Sequence, residues 1–262
     1  MKVIVITGST RGLGYGLAQE LLERGCAVSI CGRSADSVNS AAETLARLYG
    51  RDRVLGSVCD VCDDRQIQEL WNSSRQVFSK IDIWVNNAGI SNPVAKVWEQ
   101  SEGLMSDLIH TNVLGTLYGS KTAVNGMLLQ GFGAVYNMLG MGSNGRTQDG
   151  LALYGTSKAA LRYFTRSLAE EVKGTPIIVG ALSPGMVLTD LLSGSRKTSP
   201  ESWEQVKRVL NLFGERPETV TPWLAKQILE NRRHGVEIRW LTTARLLSRM
   251  LVYPFNRYRV IK

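Results

Sequence analysis

Short apolar runs alternate with helix-like segments along the chain, and this alternation limits the possible folds more than any other feature. The runs predict seven strands: KVIVIT (2–7), AVSIC (27–31), VLGSVCD (54–60), IDIWVNNA (81–88), GAVYNML (133–139), PIIVGALS (176–183) and VEIRWLT (236–242). Between them lie segments such as GLGYGLAQELLERG, in which leucines recur three and four residues apart, as on one face of a helix. Strand and helix alternating over the chain predict a single α/β domain with a parallel sheet covered by helices on both faces.

The composition is that of a folded protein. Of 262 residues, 44% are hydrophobic and 21% charged, which excludes a disordered chain. No uncharged apolar stretch reaches the roughly 18 residues that a transmembrane helix needs. The chain enters its first strand without a secretory or transit segment, so if the protein works in an organelle we expect its targeting segment to have been removed.

The four cysteines favour a reducing compartment, because they are too few and too scattered for a disulfide framework. Cys59 and Cys62 have the spacing of zinc ligands, but no second Cys or His pair completes a site. We therefore predict no metal site.

Positive charge is concentrated at the C-terminal end. The net charge is +8, and residues 231–262 hold seven arginines and one lysine against one glutamate. This distribution argues against a nucleic-acid partner and for one local basic surface. Residues 243–262 are predicted to form a basic amphipathic extension of a domain spanning 1–242, with Arg245 and Arg249 on one stripe. This helix either lies on a membrane surface or packs against the domain or a sister subunit.

The sequence TGSTRGLG, at 7–14, joins the first strand to a helix. Such a glycine turn lets backbone N–H groups and the helix dipole approach a pyrophosphate. The alternative, a plain turn, is less favoured because a strand precedes the loop and an amphipathic helix follows it. The predicted cofactor-binding residues of this loop are Gly8, Ser9, Thr10, Arg11, Gly12, Leu13 and Gly14.

The residues after the second and third strands favour NADP over NAD. The second strand ends in Arg33 and Ser34 without a carboxylate, and Arg11 lies inside the glycine loop. A 2′-phosphate requires cations, whereas an NAD ribose is usually held by an acid. Asp60 and Val61, after the third strand, are predicted to bracket the adenine, although Asp60 could instead cap a helix.

Tyr154 and Lys158 stand at i and i+4 and therefore share one helix face. An ammonium beside a phenol should lower the phenol's pKa from about 10. The tyrosine could then donate a proton to a carbonyl oxygen while a hydride reaches the carbon. For an isolated pair the alternative is a simple surface contact.

With TGSTRGLG, NNAG (86–89), Tyr154-x-x-x-Lys158 and SPGMVLT (183–189) in this order, the chain resembles the short-chain dehydrogenase/reductase family. The resemblance implies a single doubly wound α/β domain of the Rossmann type, with about seven parallel strands flanked by helices. It also implies hydride transfer with a nicotinamide cofactor and a homodimer or homotetramer. It implies that Asn112 holds a proton-relay water and that Lys158 and Tyr154 contact the cofactor. It implies that Asn87 supports the central strand near the cofactor and that Val187 and Thr189 contact the nicotinamide carboxamide. The further cofactor contacts that it implies are Ala88, Gly89, Pro184 and Gly185.

The serine that most members of this family use to polarise the substrate carbonyl is missing. Counting from Asn137, its position is occupied by Gly140. Loss of such a donor should cost roughly two to three orders of magnitude in rate if nothing replaces it. We expect Ser143, or a backbone N–H group of the loop, to supply the second donor. The alternative is a catalytically silent NADPH-binding scaffold.

The segment NMLGMGSNG, together with ERPETVTPWLAKQIL (215–229), resembles the chlorophyll b reductases of plants, algae and bacteria within this family. Leu139 departs from that pattern, because the plant enzymes carry an acidic residue there. The resemblance implies an NADPH-dependent carbonyl reductase that converts the C7 formyl group of chlorophyll b or chlorophyllide b to hydroxymethyl, as in chlorophyll degradation. The alternative substrate class is 3-oxoacyl thioesters or small ketones. We expect a cytoplasmic protein in a bacterium, or a stromal or membrane-associated plastid protein in a photosynthetic eukaryote.

Residues 193–204 are predicted to form a substrate lid.

Overall fold

The computed structural model describes residues 1–189 and 210–252, with side chains to residue 249. Seven parallel strands form one sheet in the order β3-β2-β1-β4-β5-β6-β9. They are β1 (Val3–Ile6), β2 (Ala27–Gly32), β3 (Val54–Val58), β4 (Ile83–Asn86), β5 (Gly133–Met138), β6 (Ile177–Ser183) and β9 (Glu237–Arg239). The predicted doubly wound fold and all seven predicted strands are confirmed.

Eight helices with fully described backbones accompany the sheet. They are α1 (Gly12–Glu23), α2 (Ala35–Tyr49), α3 (Asp64–Phe78), α4 (Glu102–Ile109), α5 (Gly115–Gln130), α6 (Ala152–Glu171), α7 (Pro217–Glu230) and α8 (Thr243–Val252). Among the described residues, no helix is both long enough and apolar enough to cross a bilayer.

The helices form two layers because successive side chains of a strand point to opposite faces. Ile4 and Ile6 of β1 pack in a cluster with residues of α1, α2 and α7. Val5, between them, packs in a second cluster with residues of α3, α5 and α6. Each such side chain contributes about 1.5–3 kcal/mol through burial, so both faces of the sheet are held by apolar packing.

The strand order reverses direction between β1 and β4. In open α/β sheets, ligands bind beyond the carboxyl ends of the strands at this switch point. The glycine loop follows β1 and the NNAG sequence ends β4, so the topology brings these two predicted cofactor segments together.

A small second ribbon lies beyond β6. Strand β7 (Met186–Val187) pairs in parallel with β8 (Gly214–Glu215). The predicted lid, 193–204, falls between them and lies outside the described residues, as do residues 253–262 of the predicted extension.

Candidate active site

The glycine loop is held tightly against the end of β4. Gly8 has a φ of 61°, and a Cβ atom there would lie 2.7 Å from the Ala88 Cα. Only glycine tolerates both constraints. At the start of α1, Arg11 provides no side-chain cap and the first turn has no acidic residue. The first N–H groups of α1 therefore suit an anion such as a pyrophosphate.

Thr7 and Asn87 attach the glycine loop to the end of β4 through hydrogen bonds. The Thr7 hydroxyl accepts hydrogen bonds from the backbone N–H groups of Asn87 and Ala88, both at 3.0 Å. The Asn87 amide donates to the Thr7 and Gly8 carbonyls at 2.9 and 3.0 Å. Asn87 thus joins β4 to the glycine loop, the supporting position that the resemblance implies.

Ser9 and Thr10 of the loop face the protein. Ser9 is fully buried, and its hydroxyl donates to the Ile6 carbonyl at 2.6 Å and accepts from the Cys31 N–H at 3.0 Å. The Thr10 methyl lies 2.8 Å from the position that a Cβ atom of Gly32 would occupy. These contacts give both residues a role in shaping the loop, while direct contact with a cofactor stays a prediction.

The predicted adenosine end lies after β2 and β3. Arg33 is exposed, and Ser34 caps α2 by accepting a hydrogen bond from the Ser37 N–H at 3.3 Å. The Asp60 carboxylate accepts from the Cys62 N–H at 3.0 Å and thereby shapes the loop after β3. Val61 is buried against Gly115 of α5. Arg33 and Asp60 therefore follow neighbouring parallel strands at the same edge of the sheet.

Tyr154 and Lys158 lie in the first two turns of α6. The Lys158 ammonium is 5.7 Å from the centroid of the Tyr154 ring and donates to the Met138 carbonyl at 3.0 Å. Lys158 is 4% exposed, which is rare for a lysine. Burial of a lysine beside a phenol at the end of a central strand marks a functional site rather than a surface pair.

Burial shifts the pKa values of Tyr154 and Lys158 in opposite directions. It raises the pKa of Tyr154 to about 12 and lowers the pKa of Lys158 to about 8. The shift of Tyr154 is opposite to the expected one, because desolvation outweighs the attraction of the ammonium. A neutral phenol is the form that donates a proton, so the raised pKa suits Tyr154 as the acid of a reduction.

Asn112 lies in a single π-helical segment, His110–Leu114, between α4 and α5. Such segments often mark functional sites. Its side-chain oxygen accepts from the Ile90 N–H at 2.7 Å, and its amide donates to Ser157 of α6 at 3.0 Å. A Cβ atom at Gly89 would lie 3.1 Å from the Asn112 oxygen and 3.6 Å from the Lys158 nitrogen. Asn112, Gly89 and Lys158 therefore converge at one place.

Gly140, at the position of the missing serine, lies directly against the phenol. A Cβ atom at Gly140 would be 2.3 Å from the Tyr154 hydroxyl oxygen. No hydrogen bond from the N–H groups of Gly140, Met141 or Gly142 reaches an acceptor within 1–189 or 210–252. Among these described residues, the Gly140 N–H therefore has no acceptor, and Gly140 is the residue of the three that lies beside the phenol.

The loop then runs along α6 away from the phenol. Gly142 crosses the backbone of Gly155, and the Ser143 carbonyl accepts from Arg162, two turns further along the helix, at 3.5 Å. Ser143 is buried, and its hydroxyl makes no hydrogen bond to another described residue. Its role as second donor stays a prediction.

The sequence analysis missed Asn92, which holds the start of α6. Its side-chain oxygen accepts from the Tyr154 N–H at 3.1 Å, and its amide donates to the carbonyls of Pro93 and Gly150 at 2.7 and 2.9 Å. The Asn-Pro pair is a turn signal in the sequence. It gives no indication that this turn caps a helix that begins about 60 residues later.

The predicted nicotinamide end lies opposite the glycine loop. Val187 is buried in β7, and Pro184 and Gly185 precede it. The Thr189 methyl is 3.4 Å from the position that a Cβ atom of Gly12 would occupy. The segment after β6 therefore returns to the start of α1, where it could close over a bound dinucleotide.

Residues 2–200 match the family described as short chain dehydrogenase. The chain belongs to this family and is an oxidoreductase acting between carbonyl and alcohol groups. It is 36% identical over 256 residues to the chloroplastic chlorophyll(ide) b reductase NOL of Oryza sativa subsp. japonica, covering 94% of this chain and 73% of the relative. It is 38% identical over 233 residues to NOL of Arabidopsis thaliana, covering 86% of this chain and 64% of the relative. The resemblance to this family and to its chlorophyll b reductase members is confirmed, and the chain spans about two thirds of the second relative.

Solved structures share the fold. A 3-ketoacyl-(acyl-carrier-protein) reductase from Brucella melitensis complexed with NADH has a TM-score of 0.80 and 22% identity, covering 91% of this chain and 96% of its own. L-sorbose reductase from Gluconobacter frateurii, complexed with NADPH and L-sorbose, has a TM-score of 0.77 and 25% identity, covering 91% and 94%. Both similarities show that the chain has a Rossmann-type fold.

Proposed function

We propose that this protein is an NADPH-dependent carbonyl reductase that reduces the C7 formyl group of chlorophyll b or chlorophyllide b to hydroxymethyl. The observation that carries the chemistry is the convergence of Tyr154, buried Lys158 and Asn112 beside a glycine loop at the switch point of the sheet. The pigment is supported by the similarity to the two NOL proteins over most of the chain.

The proposed cofactor is NADPH. The uncapped start of α1 suits its pyrophosphate, and the exposed Arg33 after β2 would offer a cation to a 2′-phosphate. The two residues that directly follow β2, Arg33 and Ser34, include no carboxylate to bind an unphosphorylated ribose. When bound, the nicotinamide supplies the hydride for the carbonyl carbon.

The side chains of the site supply the proton and hold the substrate. Tyr154, neutral because of its raised pKa, donates its proton to the carbonyl oxygen, so hydride and proton together give the alcohol. Lys158 stabilises the phenolate that remains. Asn112, tied to Ile90 and Ser157, keeps the π-helical segment in place beside Lys158.

Backbone N–H groups of the 140–142 loop are proposed to replace the missing serine hydroxyl. They have no acceptor among the described residues, and Gly140 lies next to the Tyr154 phenol, near the expected position of the developing oxyanion. In this arrangement, Ser143→Ala leaves kcat/KM unchanged in NADPH oxidation assays. If the serine hydroxyl were the second donor, the same substitution would lower kcat/KM by roughly 100-fold.

The function is tested by NADPH oxidation with purified protein and chlorophyllide b, with the hydroxymethyl product identified by chromatography. Tyr154→Phe should abolish turnover while NADPH binding persists, because only the proton donor is lost. Tyr163→Phe, an exposed tyrosine on the same helix, is the matched control and should retain full activity.

The same assay separates the alternatives. Turnover of 3-oxoacyl thioesters or small ketones without turnover of the pigment would identify a general reductase. NADPH binding with no turnover of any carbonyl would identify a silent scaffold. Retention of Tyr154, Lys158 and Asn112 argues against a scaffold, since cofactor binding alone does not require this set.

We also propose a homodimer or homotetramer. Leu128 and Leu129 at the end of α5 are 44% and 90% exposed, so two apolar positions on this helix are open to a second copy. Light scattering of the purified protein tests the assembly.

Contact of the basic tail with a membrane stays a prediction, tested by co-sedimentation with anionic vesicles.

A further inference from the structure

Helix α8 is attached to the body of the protein by the two arginines of its basic stripe. The Arg245 guanidinium stacks on the Trp240 ring at 3.7 Å and donates to the Trp240 carbonyl at 3.1 Å. Trp240 packs edge-on against Trp223 of α7, with the ring centroids 5.2 Å apart. Arg249 forms an ion pair with Glu215 of β8. Both cations therefore contact the protein itself, as expected for the packed alternative.

Glu215 connects this helix to the candidate site. It is 8% exposed, so its carboxylate depends on Arg249 for compensation. Its backbone carbonyl accepts a hydrogen bond from the Leu188 N–H at 2.8 Å. Leu188 lies between Val187 and Thr189, the two residues proposed to contact the nicotinamide carboxamide.

The two-stranded ribbon of β7 and β8, which carries Leu188 and Glu215, is too short to be stable without contacts to the rest of the protein. Strands β7 and β8 have two residues each, and isolated two-stranded pairs are at best marginally stable. The ribbon is therefore fixed by what its side chains contact. For the Glu215 side chain of β8, the contact that the described residues show is the ion pair with Arg249 of α8.

We propose that α8 positions the nicotinamide half of the cofactor site, with Arg249 acting through Glu215 as a positioning residue. This inference rests on the proposed function, because it takes Val187 and Thr189 as nicotinamide contacts. Without Arg249, the buried Glu215 carboxylate moves toward water and carries the hydrogen-bonded Leu188 segment with it. The adenosine half, formed after β2 and β3, is unaffected.

The test compares two ligands in Arg249→Gln. NADPH contacts both halves of the site, whereas adenosine 2′,5′-bisphosphate lacks the nicotinamide. The Kd for NADPH, measured by fluorescence titration, should rise about fivefold or more, a typical size for coupling between sites. The Kd for the bisphosphate, measured by calorimetry, should stay unchanged. Lys226→Gln removes an exposed charge from α7 and serves as the control, with both Kd values unchanged.

Glu215→Gln should reproduce the selective effect, and combining it with Arg249→Gln should add no further loss, because the two residues act as one unit. Equal weakening of both ligands would show general damage and overturn the inference, as would an unchanged Kd for NADPH. Failure of the unaltered protein to bind NADPH would overturn the proposed function itself, which distinguishes the two failures.

Discussion

The Tyr154 phenol depends on the absence of a side chain at Gly140. A Cβ atom there would lie 2.3 Å from the hydroxyl oxygen, well inside contact distance. Restoring the family serine with Gly140→Ser should therefore displace the phenol and not rescue a missing donor. We expect kcat/KM to fall roughly 100-fold, the cost of about 1 Å of misplacement. Steady-state NADPH oxidation with chlorophyllide b measures this.

Gly103→Ser is the matched control for that substitution, because a Cβ atom at Gly103 in α4 meets nothing within 4 Å. It should leave kcat/KM unchanged. A gain of activity in Gly140→Ser would show that the serine position remains functional and would exclude backbone donors as its replacement.

The opposite pKa shifts of Lys158 and Tyr154 predict the pH dependence of the reduction. The pKa of Lys158 is lowered to about 8, so its positive charge is lost as pH rises through that value. Tyr154 stays neutral over this range, because its pKa is raised to about 12. We expect kcat/KM to be constant below pH 8 and to fall roughly tenfold per unit above it.

Lys158→Arg tests whether deprotonation of Lys158 causes the fall in kcat/KM above pH 8. A guanidinium keeps its charge throughout the range, so the variant should lose the decline near pH 8 even if its overall rate is lower. A decline that begins only near about pH 10, where an ordinary lysine titrates, would contradict the burial of Lys158 as its cause.

Asn92 determines where helix α6 begins. It replaces the missing local cap by accepting from the Tyr154 N–H, and it also holds the Gly150 carbonyl. Asn92→Ala should lower the free energy of unfolding by about 1 kcal/mol, as for other helix caps. Because the capped residue is the proton donor, kcat/KM should also fall roughly tenfold. Urea titration and steady-state kinetics measure the two effects.

Asn144→Ala is the control, since Asn144 is exposed and, in the part of the chain that the structure describes, its side chain accepts a hydrogen bond only from the Arg146 N–H of its own loop. The Kd for NADPH should be equal in both variants, because Asn92 contacts no predicted cofactor residue other than Tyr154. If Asn92→Ala lowered the free energy of unfolding but kept full activity, Asn92 would be a helix cap with no effect on the position of Tyr154.

The elements that the sequence predicted are those whose signals are local. The strand β5 and the helix α1 follow from apolar runs and periodicity, and the order of motifs placed Tyr154 on a helix near the cofactor. The π-helical segment at Asn112 could not be predicted, because its geometry depends on hydrogen bonds to Ile90 and Ser157, both distant in sequence. The prediction that the pKa of Tyr154 is lowered was wrong for a similar reason. Burial, which raises this pKa, is a property of the assembled fold.

The whole molecule gathers the site from segments far apart in sequence. Parallel strands bring the ends of β1, β2, β3 and β4 to one edge, where the glycine loop, Arg33, Asp60 and Asn87 follow them. The ends of β5 and β6 add the 140–142 loop and the segment that returns to Gly12. A dinucleotide bound along this edge would contact both halves of the sheet, and its binding should therefore stabilise the entire fold.

Cofactor preference can be measured as this global stabilisation. A ligand at 100 times its Kd adds about 2.7 kcal/mol to the free energy of unfolding. For a domain of this size that corresponds to a rise in Tm of about 5–10 °C. We expect NADPH to produce this shift and NADH, at equal concentration, a clearly smaller one, because the residues that directly follow β2, the exposed Arg33 and Ser34, offer a cation and no carboxylate. Differential scanning fluorimetry measures both.

Arg33→Ala should reduce the NADPH shift toward that of NADH and leave the NADH shift unchanged, since only the 2′-phosphate loses a partner. Arg47→Ala, the charge-matched control, removes an arginine from the last turn of α2, away from the predicted 2′-phosphate site. Equal shifts for the two cofactors in the unaltered protein would contradict the preference for NADPH. The glycine loop and the Tyr154–Lys158 pair would still support a nicotinamide cofactor, because neither discriminates between the two ribose forms.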